Sequence, residues 1–175
     1  MPRWATAVMS KIDLPDVIAI EGTSYRSPWP LEAFQVELNR ASWAHALVLR
    51  DQDRPAQGVR GYVCFWTLQA EMCVHNIAVH PDDRRLGGAS HLLAAAWEEA
   101  VRQQCRWAYL EVRPSNEAAI SLYSRWGFEP MARRLRYYED TGEDAIIMRA
   151  GISDAARSVA AGAPVLESGG KRVIG

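Results

Sequence analysis

A short stretch near the middle of the chain combines two arginines with two glycines. It reads Arg84-Arg85-Leu86-Gly87-Gly88-Ala89 and lies between an apolar run of strand length and a long amphipathic run. If a helix begins at these glycines, its first backbone N–H groups have no partner within the helix and suit a bound anion. The alternative is a glycine-containing turn with solvated arginines. No Gly-Lys-Ser/Thr follows and a third glycine is missing, so neither the Walker nor the dinucleotide-binding motif is present.

A single carboxylate interrupts the apolar, strand-like run Trp107–Val112. Glu111 stands between Leu110 and Val112, where an unpaired charge is costly to bury. Burial raises the pKa of a carboxyl group, which is one way in which enzymes prepare a general base. We therefore interpret Glu111 as a candidate base. The alternative is a structural salt bridge to Arg113 or to another arginine near the end of the strand.

Five further residues are candidates for a site. Tyr123 lies on the apolar face of a predicted helix, where plain packing is the default, but its phenol could donate a proton if it faced a cleft. Asn116, at the start of that helix, is either a cap or a ligand. Trp29 lies in a loop between two prolines, as expected of a residue that lines a pocket, and Tyr137-Tyr138 ends a strand as edge packing or as a substrate wall.

Metal binding is not expected from this sequence. The four histidines show no ligand spacing such as His-Glu-x-x-His, and the three cysteines, an odd number, include no Cys-x-x-Cys pair. A disulfide framework or zinc ribbon is therefore excluded, and the cysteine usage fits a reducing cytoplasm.

Composition places the chain among ordinary globular domains. It has 175 residues, 49% hydrophobic and 23% charged, with 20 basic against 21 acidic side chains. The balance argues against direct nucleic-acid binding as the main activity, because that function needs an excess of positive charge. The sequence shows no signal peptide and no apolar run long enough to span a bilayer. We expect a cytoplasmic protein with no membrane partner; the sequence does not indicate its oligomeric state.

Hydrophobic periodicity predicts a mixed α/β domain around one sheet. Residues 1–11 are expected to form an irregular lead-in. Helices are predicted over 14–25, 31–39, from about 89 to 100 and over 115–126, and strands over 44–49, 59–68, 72–79, 107–112, 128–138 and 145–149. The domain should occupy residues 1–150. Residues 151–175, rich in Ala, Gly and Ser, are predicted to be a flexible tail.

Several motifs together resemble the GCN5-related N-acetyltransferase (GNAT) superfamily, and within it the RimI-type branch that acetylates ribosomal-protein alanines. The superfamily pattern Gln/Arg-x-x-Gly-x-Gly/Ala is met by residues 84–89. The likeness to RimI-type sequences is dense over 75–149, thinner over 12–38 and ends near Ala150. It rests on His75-Asn76-Ile77-Ala78-Val79, on residues 110–120, on Leu122-Tyr123, on Trp126-Gly127-Phe128 and on residues 143–148.

The resemblance implies a GNAT fold, with a mixed, mostly antiparallel sheet and helices on both faces, and acetyl-CoA as cosubstrate without a metal. It assigns Glu111 as general base, directly or through water, and Tyr123 as the acid that protonates the departing thiolate. Trp29, Tyr137 and Tyr138 would line the substrate slot. The cofactor would be held by the loop and strand residues Ile77, Ala78, Val79, Arg84, Arg85, Leu86, Gly87, Gly88, Ala89 and Ser90, together with Asn116.

The acceptor implied by the resemblance is the α-amine of an N-terminal alanine, in the family that of the small-subunit ribosomal protein eighteen. About one α-amine in ten is neutral at pH 7, against about one lysine in 2,500, which favours an α-amine. Glu21, Glu139 and Asp140 are candidates for an acidic rim that would suit a basic substrate. The alternatives are acetylation of a small amine or protein lysine, or a non-catalytic acyl-CoA-binding module.

Overall fold

The protein is described by a computed structural model over residues 1–40 and 42–152. The helices are α1 (Leu14–Ser24), α2 (Leu31–Asn39), α3 (Gly88–Arg102) and α4 (Glu117–Arg125). The strands are β1 (Trp4–Val8), β2 (Ala44–Asp51), β3 (Gly61–Leu68), β4 (Glu71–Val79), β5 (Trp107–Val112), β6 (Glu129–Tyr138) and β7 (Glu143–Gly151). Short 3-10 turns occupy Lys11–Asp13, Pro55–Gln57 and Pro81–Asp83.

The seven strands form one sheet in the order β1-β2-β3-β4-β5-β7-β6. The pairing of β4 with β5 is parallel, and the other five pairings are antiparallel. Two buried clusters lie on opposite faces. One contains the apolar side of α3, with Leu93 and Trp97, and that of α4; the other contains Val17 of α1 and Phe34 of α2. The predicted fold, with a mostly antiparallel sheet and helices on both faces, is confirmed.

Strand β1 was not expected, because residues 1–11 were predicted to be irregular. It pairs antiparallel with β2, from Trp4 opposite Asp51 to Val8 opposite Leu47. The five residues are too few to show a clear hydrophobic period, and the strand is stabilised by contacts distant in sequence. The Trp4 indole N–H donates to the Leu86 carbonyl at 2.8 Å.

The two central strands separate part of the way along their length. Parallel pairing of β4 with β5 ends at Val74 opposite Leu110. On the other side of β4, Val74 is opposite Phe65 and Asn76 is opposite Cys64, so His75 is an extra residue that forms a β-bulge. Bulges bend a strand and increase its twist. From His75 onward, the edge of β4 that faces β5 is open, and the site lies in this opening.

At its C-terminal end the sheet runs slightly past the predicted domain boundary. Strand β7 ends at Gly151, and the Ile152 backbone N–H donates to the Arg106 carbonyl at 2.9 Å. The rest of the predicted tail, from residue 153, lies outside the described residues. Within the described ranges, no helix combines the length and the hydropathy needed to cross a membrane.

Candidate active site

Two clefts meet in the opening between β4 and β5. The hairpin cleft, about 780 Å³, is bounded by β5 and the β6–β7 hairpin. The loop cleft, about 650 Å³, is bounded by the glycine-containing loop and the N-terminal turn of α3. Six residues line both clefts and define their junction: Ser24, Tyr25, Ile77, Asn116, Ala119 and Tyr123. A ligand in one cleft can therefore reach a ligand in the other at this junction.

Glu111 lines the hairpin cleft and is partly exposed there. Arg134 of β6 donates to its Oε1 at 2.8 Å, and a hydrogen bond to Glu111 is the main cause that raises the pKa of Tyr137. Glu111 is therefore ion-paired to an arginine, as in the structural interpretation, and is also open to the cleft, as a base would have to be. The partner is Arg134 of β6, not Arg113, which the sequence analysis named among the possible partners.

Arg113 fixes the tip of the β6–β7 hairpin over the cleft. Its guanidinium contacts both carboxylate oxygens of Asp140, at 2.8 and 2.9 Å, and Glu143 at 3.5 Å. It also lies 3.8 Å from the centroid of the Tyr138 ring. This bidentate contact holds the pKa of the Asp140 carboxyl below its usual range. The hairpin therefore forms a braced wall of the cleft, and Tyr137 and Tyr138 line it.

The α1–α2 loop forms the opposite wall and places Trp29 in the hairpin cleft. The Trp29 backbone N–H donates to Glu21 Oε1 at 2.7 Å, and its ring lies 5.5 Å from that of Phe34. Glu21 is only 1% exposed. Its prediction as an acidic rim residue is therefore wrong: the carboxylate is buried and accepts hydrogen bonds from Tyr62 and Asn76. Glu139 and Asp140 are exposed at the cleft, as a rim requires.

Tyr123 is packed in the core and also lines the two clefts. The side chain is 6% exposed, belongs to the core cluster under the sheet and packs against Phe128 at a ring distance of 5.8 Å. It also lines both clefts at their junction. Burial raises its pKa, so the phenol keeps its proton throughout the neutral pH range. It can therefore donate a hydrogen bond to an atom held at the junction.

The glycine-containing loop is shaped to present backbone amides to the loop cleft. Gly87, in the left-handed region with φ of 83°, precedes α3, which begins at Gly88. A Cβ atom on Gly88 would lie 2.8 Å from Leu49 Cδ2, so the helix start packs closely on the sheet. The amides of Gly88, Ala89 and Ser90 belong to the first helical turn and have no acceptor within the helix. A helix start of this kind suits a bound anion.

The arginines and Leu86 of the same loop serve partly as structural anchors. Arg84 donates to the Val79 carbonyl at 3.2 Å and to Ser24 at 3.1 Å. The Leu86 carbonyl accepts from Trp4, so this residue anchors the loop to β1. Arg85 is exposed, has a φ of 62° and lines the loop cleft. Arg84 and Arg85 both line the loop cleft, close to the start of α3.

A buried ion network supports the loop from behind. Asp83, 1% exposed, binds Arg60 at 2.5 Å and Arg54 at 2.9 Å. Arg54 also binds Asp51, and the Arg60 guanidinium lies 2.9 Å from His80 Nδ1. The network ties the end of β2 and the start of β3 to the residues just before the glycines. Sequence reasoning did not find it, because Arg54 and Arg60 are 29 and 23 residues from Asp83.

The open edge of β4 faces the loop cleft through the predicted residues Ile77, Ala78 and Val79. The Ile77 and Val79 carbonyls point to this side, where they accept from Tyr25 at 2.5 Å and from Arg84. The N–H and C=O of one strand residue point in the same direction, so the Ile77 and Val79 amides face the cleft and can pair with an extended ligand. Asn116 caps α4, accepting from the Ala119 N–H at 3.2 Å, and also lines both clefts.

Tyr25, Arg134 and His75 belong to the site but were not predicted as part of it. Tyr25 follows α1 and lies at the junction. His75 occupies the bulge, lines the hairpin cleft and lies 4.0 Å from the Trp66 ring centroid. No spacing in the sequence marks them, because each reaches the site through tertiary packing. Within the described ranges, no cluster of three or more His, Cys, Asp or Glu side chains could hold a metal ion.

Comparison with known proteins matches residues 14–128 to the acetyltransferase (GNAT) family. The chain is 34% identical over 149 residues to the [ribosomal protein bS18]-alanine N-acetyltransferase of Salmonella typhimurium, covering 84% of this chain and 97% of that protein. It is also 34% identical over 143 residues to the protein of the same name from Escherichia coli K12, covering 81% and 93%.

Solved structures show the same architecture. The ribosomal-protein-S18-alanine N-acetyltransferase of Escherichia coli superposes with a TM-score of 0.76 and 30% identity, over 86% of this chain and 95% of that one. Arabidopsis thaliana NAA60, crystallised in complex with acetyl-CoA, superposes with a TM-score of 0.75 over 86% and 99%. Its 20% identity supports the fold alone.

Proposed function

Because the chain belongs to the acetyltransferase (GNAT) family, we propose that it moves the acetyl group of acetyl-CoA to the α-amine of an N-terminal alanine. The observation that carries the proposal is the junction of the two clefts. An anion-binding loop and an open strand edge line one cleft, a carboxylate lines the other, and a buried phenol lies between them. The catalytic domain includes all of β7 and extends to at least residue 152, and the reaction takes place in the cytoplasm.

The loop cleft fits the cosubstrate. The first-turn amides of α3 and the loop arginines suit its pyrophosphate, and the Ile77 and Val79 amides suit the amide-rich pantetheine arm. Asn116, which lines this cleft, would lie beside that arm near the sulfur. The thioester would then lie at the junction, with its carbonyl oxygen accepting from the β4 backbone as in an oxyanion hole.

In the hairpin cleft, Glu111 takes the proton that the amine releases. The amine nitrogen forms a bond to the thioester carbon and the C–S bond breaks, so one proton must leave nitrogen and one must reach sulfur. Arg134 and Tyr137 orient the Glu111 carboxylate, which accepts the first proton directly or through water. Tyr123 stabilises the departing sulfur. Since burial raises the pKa of Tyr123 above the usual thiol value of about 8.5, this phenol keeps its proton and donates a hydrogen bond to the sulfur. The thiolate takes its proton from water, and the proton held by Glu111 is returned to water.

Direct transfer requires no covalent enzyme intermediate, since the two reactants meet at the junction and gain the benefit of proximity. Cys105, the cysteine just before β5, is buried, and burial raises the pKa of its thiol. A thiol of this kind is a poor nucleophile.

The acceptor is assigned by analogy with the relatives. Those from Salmonella typhimurium and Escherichia coli are named as acting on ribosomal protein bS18, and the matched regions cover 93% or more of their length. We therefore propose the N-terminus of bS18 as the natural acceptor. Exposed Glu139 at the mouth of the hairpin cleft suits a basic peptide.

The test is thiol release from acetyl-CoA with three acceptors: a peptide beginning with the alanine of bS18, the same peptide with its N-terminus blocked and a lysine free, and spermidine. Turnover with the free α-amine alone supports the proposal. Turnover with the blocked peptide or with spermidine assigns a different acceptor. Binding of acetyl-CoA without turnover on any amine would contradict an enzymatic role.

A further inference from the structure

Tyr25 lies where the transferred group must pass. It is one of the six residues that line both clefts. Of these six, only Tyr25 and Tyr123 carry aromatic rings, and they approach the junction from different elements, Tyr25 from the end of α1 and Tyr123 from α4. Because each of them lines both clefts, the two side chains bound the same junction.

Neither ring is free to move aside. The Tyr25 hydroxyl donates to the Ile77 carbonyl at 2.5 Å, which ties the side chain to the open edge of β4. Tyr123 is 6% exposed and packs against Phe128 inside the core. A close-packed interior resists displacement. Tyr25 is therefore held at the junction by its hydrogen bond and Tyr123 by its packing.

We propose that Tyr25 sets the acyl-length specificity of the enzyme by closing the junction to acyl groups longer than acetyl. The inference rests on the proposed function, because it takes the junction as the place of the thioester. The acyl carbon must meet the amine of the hairpin cleft there. Its methyl group then lies in the space bounded by Tyr25 and Tyr123. Each added methylene must displace a ring that is hydrogen-bonded or buried.

The experiment compares acetyl-CoA, propionyl-CoA and butyryl-CoA with one acceptor peptide and measures kcat/KM for each. The unmodified chain should prefer acetyl-CoA over propionyl-CoA by about 10-fold or more, since one extra methylene in a fitted pocket costs roughly 10- to 200-fold. Tyr25→Ala should raise the propionyl-to-acetyl ratio by about 10-fold. Tyr25→Phe retains the ring but loses the hydrogen bond to Ile77, so it should raise the ratio by less than Tyr25→Ala does.

Tyr109→Ala is the matched control, because Tyr109 is a half-buried tyrosine of β5 that lines neither cleft. Its ratio should not change. Tyr25→Leu replaces Tyr25→Ala if the latter does not fold, as judged by circular dichroism. The unmodified chain tests the inference without any variant, since equal use of butyryl-CoA and acetyl-CoA would overturn it.

The possible failures are distinguishable. An active Tyr25→Ala variant whose acyl preference is unchanged overturns the inference and leaves the proposed function intact. A parallel rise in the Tyr109→Ala control also overturns it, because the effect would then be general loosening. Absence of acetyl transfer by the unmodified chain to every amine overturns the proposed function, and with it the inference.

Discussion

The features proposed to bind a ligand are mainly backbone groups in the loop cleft and side chains in the hairpin cleft. The amides of Gly88, Ala89 and Ser90 and the edge of β4 line the first. Glu111, Tyr137 and Tyr138 line the second. Backbone sites tolerate changes of side chain as long as the chain path is kept. The hairpin cleft can therefore change its acceptor while the loop cleft keeps its cofactor.

The ion pairs that support the two clefts differ in how deeply they are buried. Behind the glycine-containing loop lies the buried pair of Asp83 and Arg60, with side chains 1% and 10% exposed. Over the hairpin cleft, Arg113 and Asp140 are paired with side chains 21% and 20% exposed. Breaking a buried ion pair is costly because it leaves a charge without a partner away from water, whereas breaking a more exposed pair costs little because solvent screens the charges. We expect the hairpin to be the more adjustable of the two.

The largest effect is expected from Glu111, the proposed general base, which lines the hairpin cleft. Glu111→Gln should lower kcat by about 1,000-fold, the middle of the range for loss of a general base, with the KM for acetyl-CoA unchanged. Steady-state kinetics with both substrates varied measures this. Glu71→Gln, at the far end of β4 and outside both clefts, is the control. A Glu111→Gln variant with normal kcat would remove this residue from the mechanism.

The second largest effect is expected from Asp83, in the buried ion network behind the glycine-containing loop. Asp83→Ala leaves the buried Arg60 guanidinium without its partner and should lower the free energy of unfolding by about 3 kcal/mol, with a raised KM for acetyl-CoA. Urea unfolding and kinetics provide the two measurements. Asp82→Ala, next in sequence but with its side chain 80% exposed, should leave both near normal. Equal losses in the two variants would show that burial of the network is not what matters.

Two glycines, one in the glycine-containing loop and one in the β6–β7 hairpin, allow the same substitution to be compared in both clefts. Gly87 and Gly142 have φ values of 83° and 71°, and a Cβ on either would meet no atom within 4 Å. Alanine at each position therefore adds backbone strain alone, about 1 kcal/mol. Gly87→Ala should raise the KM for acetyl-CoA, and Gly142→Ala, in the β6–β7 hairpin, should raise the KM for the peptide. The comparison between the clefts fails if both variants change the same KM.

The smallest effect is a pH dependence of the hairpin. Arg113 lowers the folded-state pKa of Asp140 below its usual 3.8. Its contribution to stability is therefore present above pH 3.8 and is lost as the pH falls through the lower folded value. Asp140→Asn removes this contribution, so the thermal midpoints of the variant and the unmodified chain should differ at pH 7 and converge below pH 3.8. Midpoints that stay parallel would argue against the pairing.

Local patterns in the sequence predicted much of the fold. Helix α2 matches its predicted bounds, and β5 does as well, because each has a clear period or a run of apolar residues of the right length. Strand β1 was missed since its five residues carry little pattern and depend on pairing with β2. Glu21 was placed on the surface, where carboxylates usually lie; three hydrogen-bonding partners, from the α1–α2 loop, β3 and β4, allow its burial instead.

The sequence alone determined the chemistry available to this protein. A glycine-containing helix start, a carboxylate inside an apolar strand and a tyrosine on a helix face are local features, and each was predicted from neighbouring residues. Only the tertiary structure decided that they meet. The bulge at His75 and the separation of β4 from β5 open the sheet, and distant residues such as Tyr25 and Arg134 complete the opening. Contacts of this kind depend on the path of the whole chain, which no short stretch of sequence specifies.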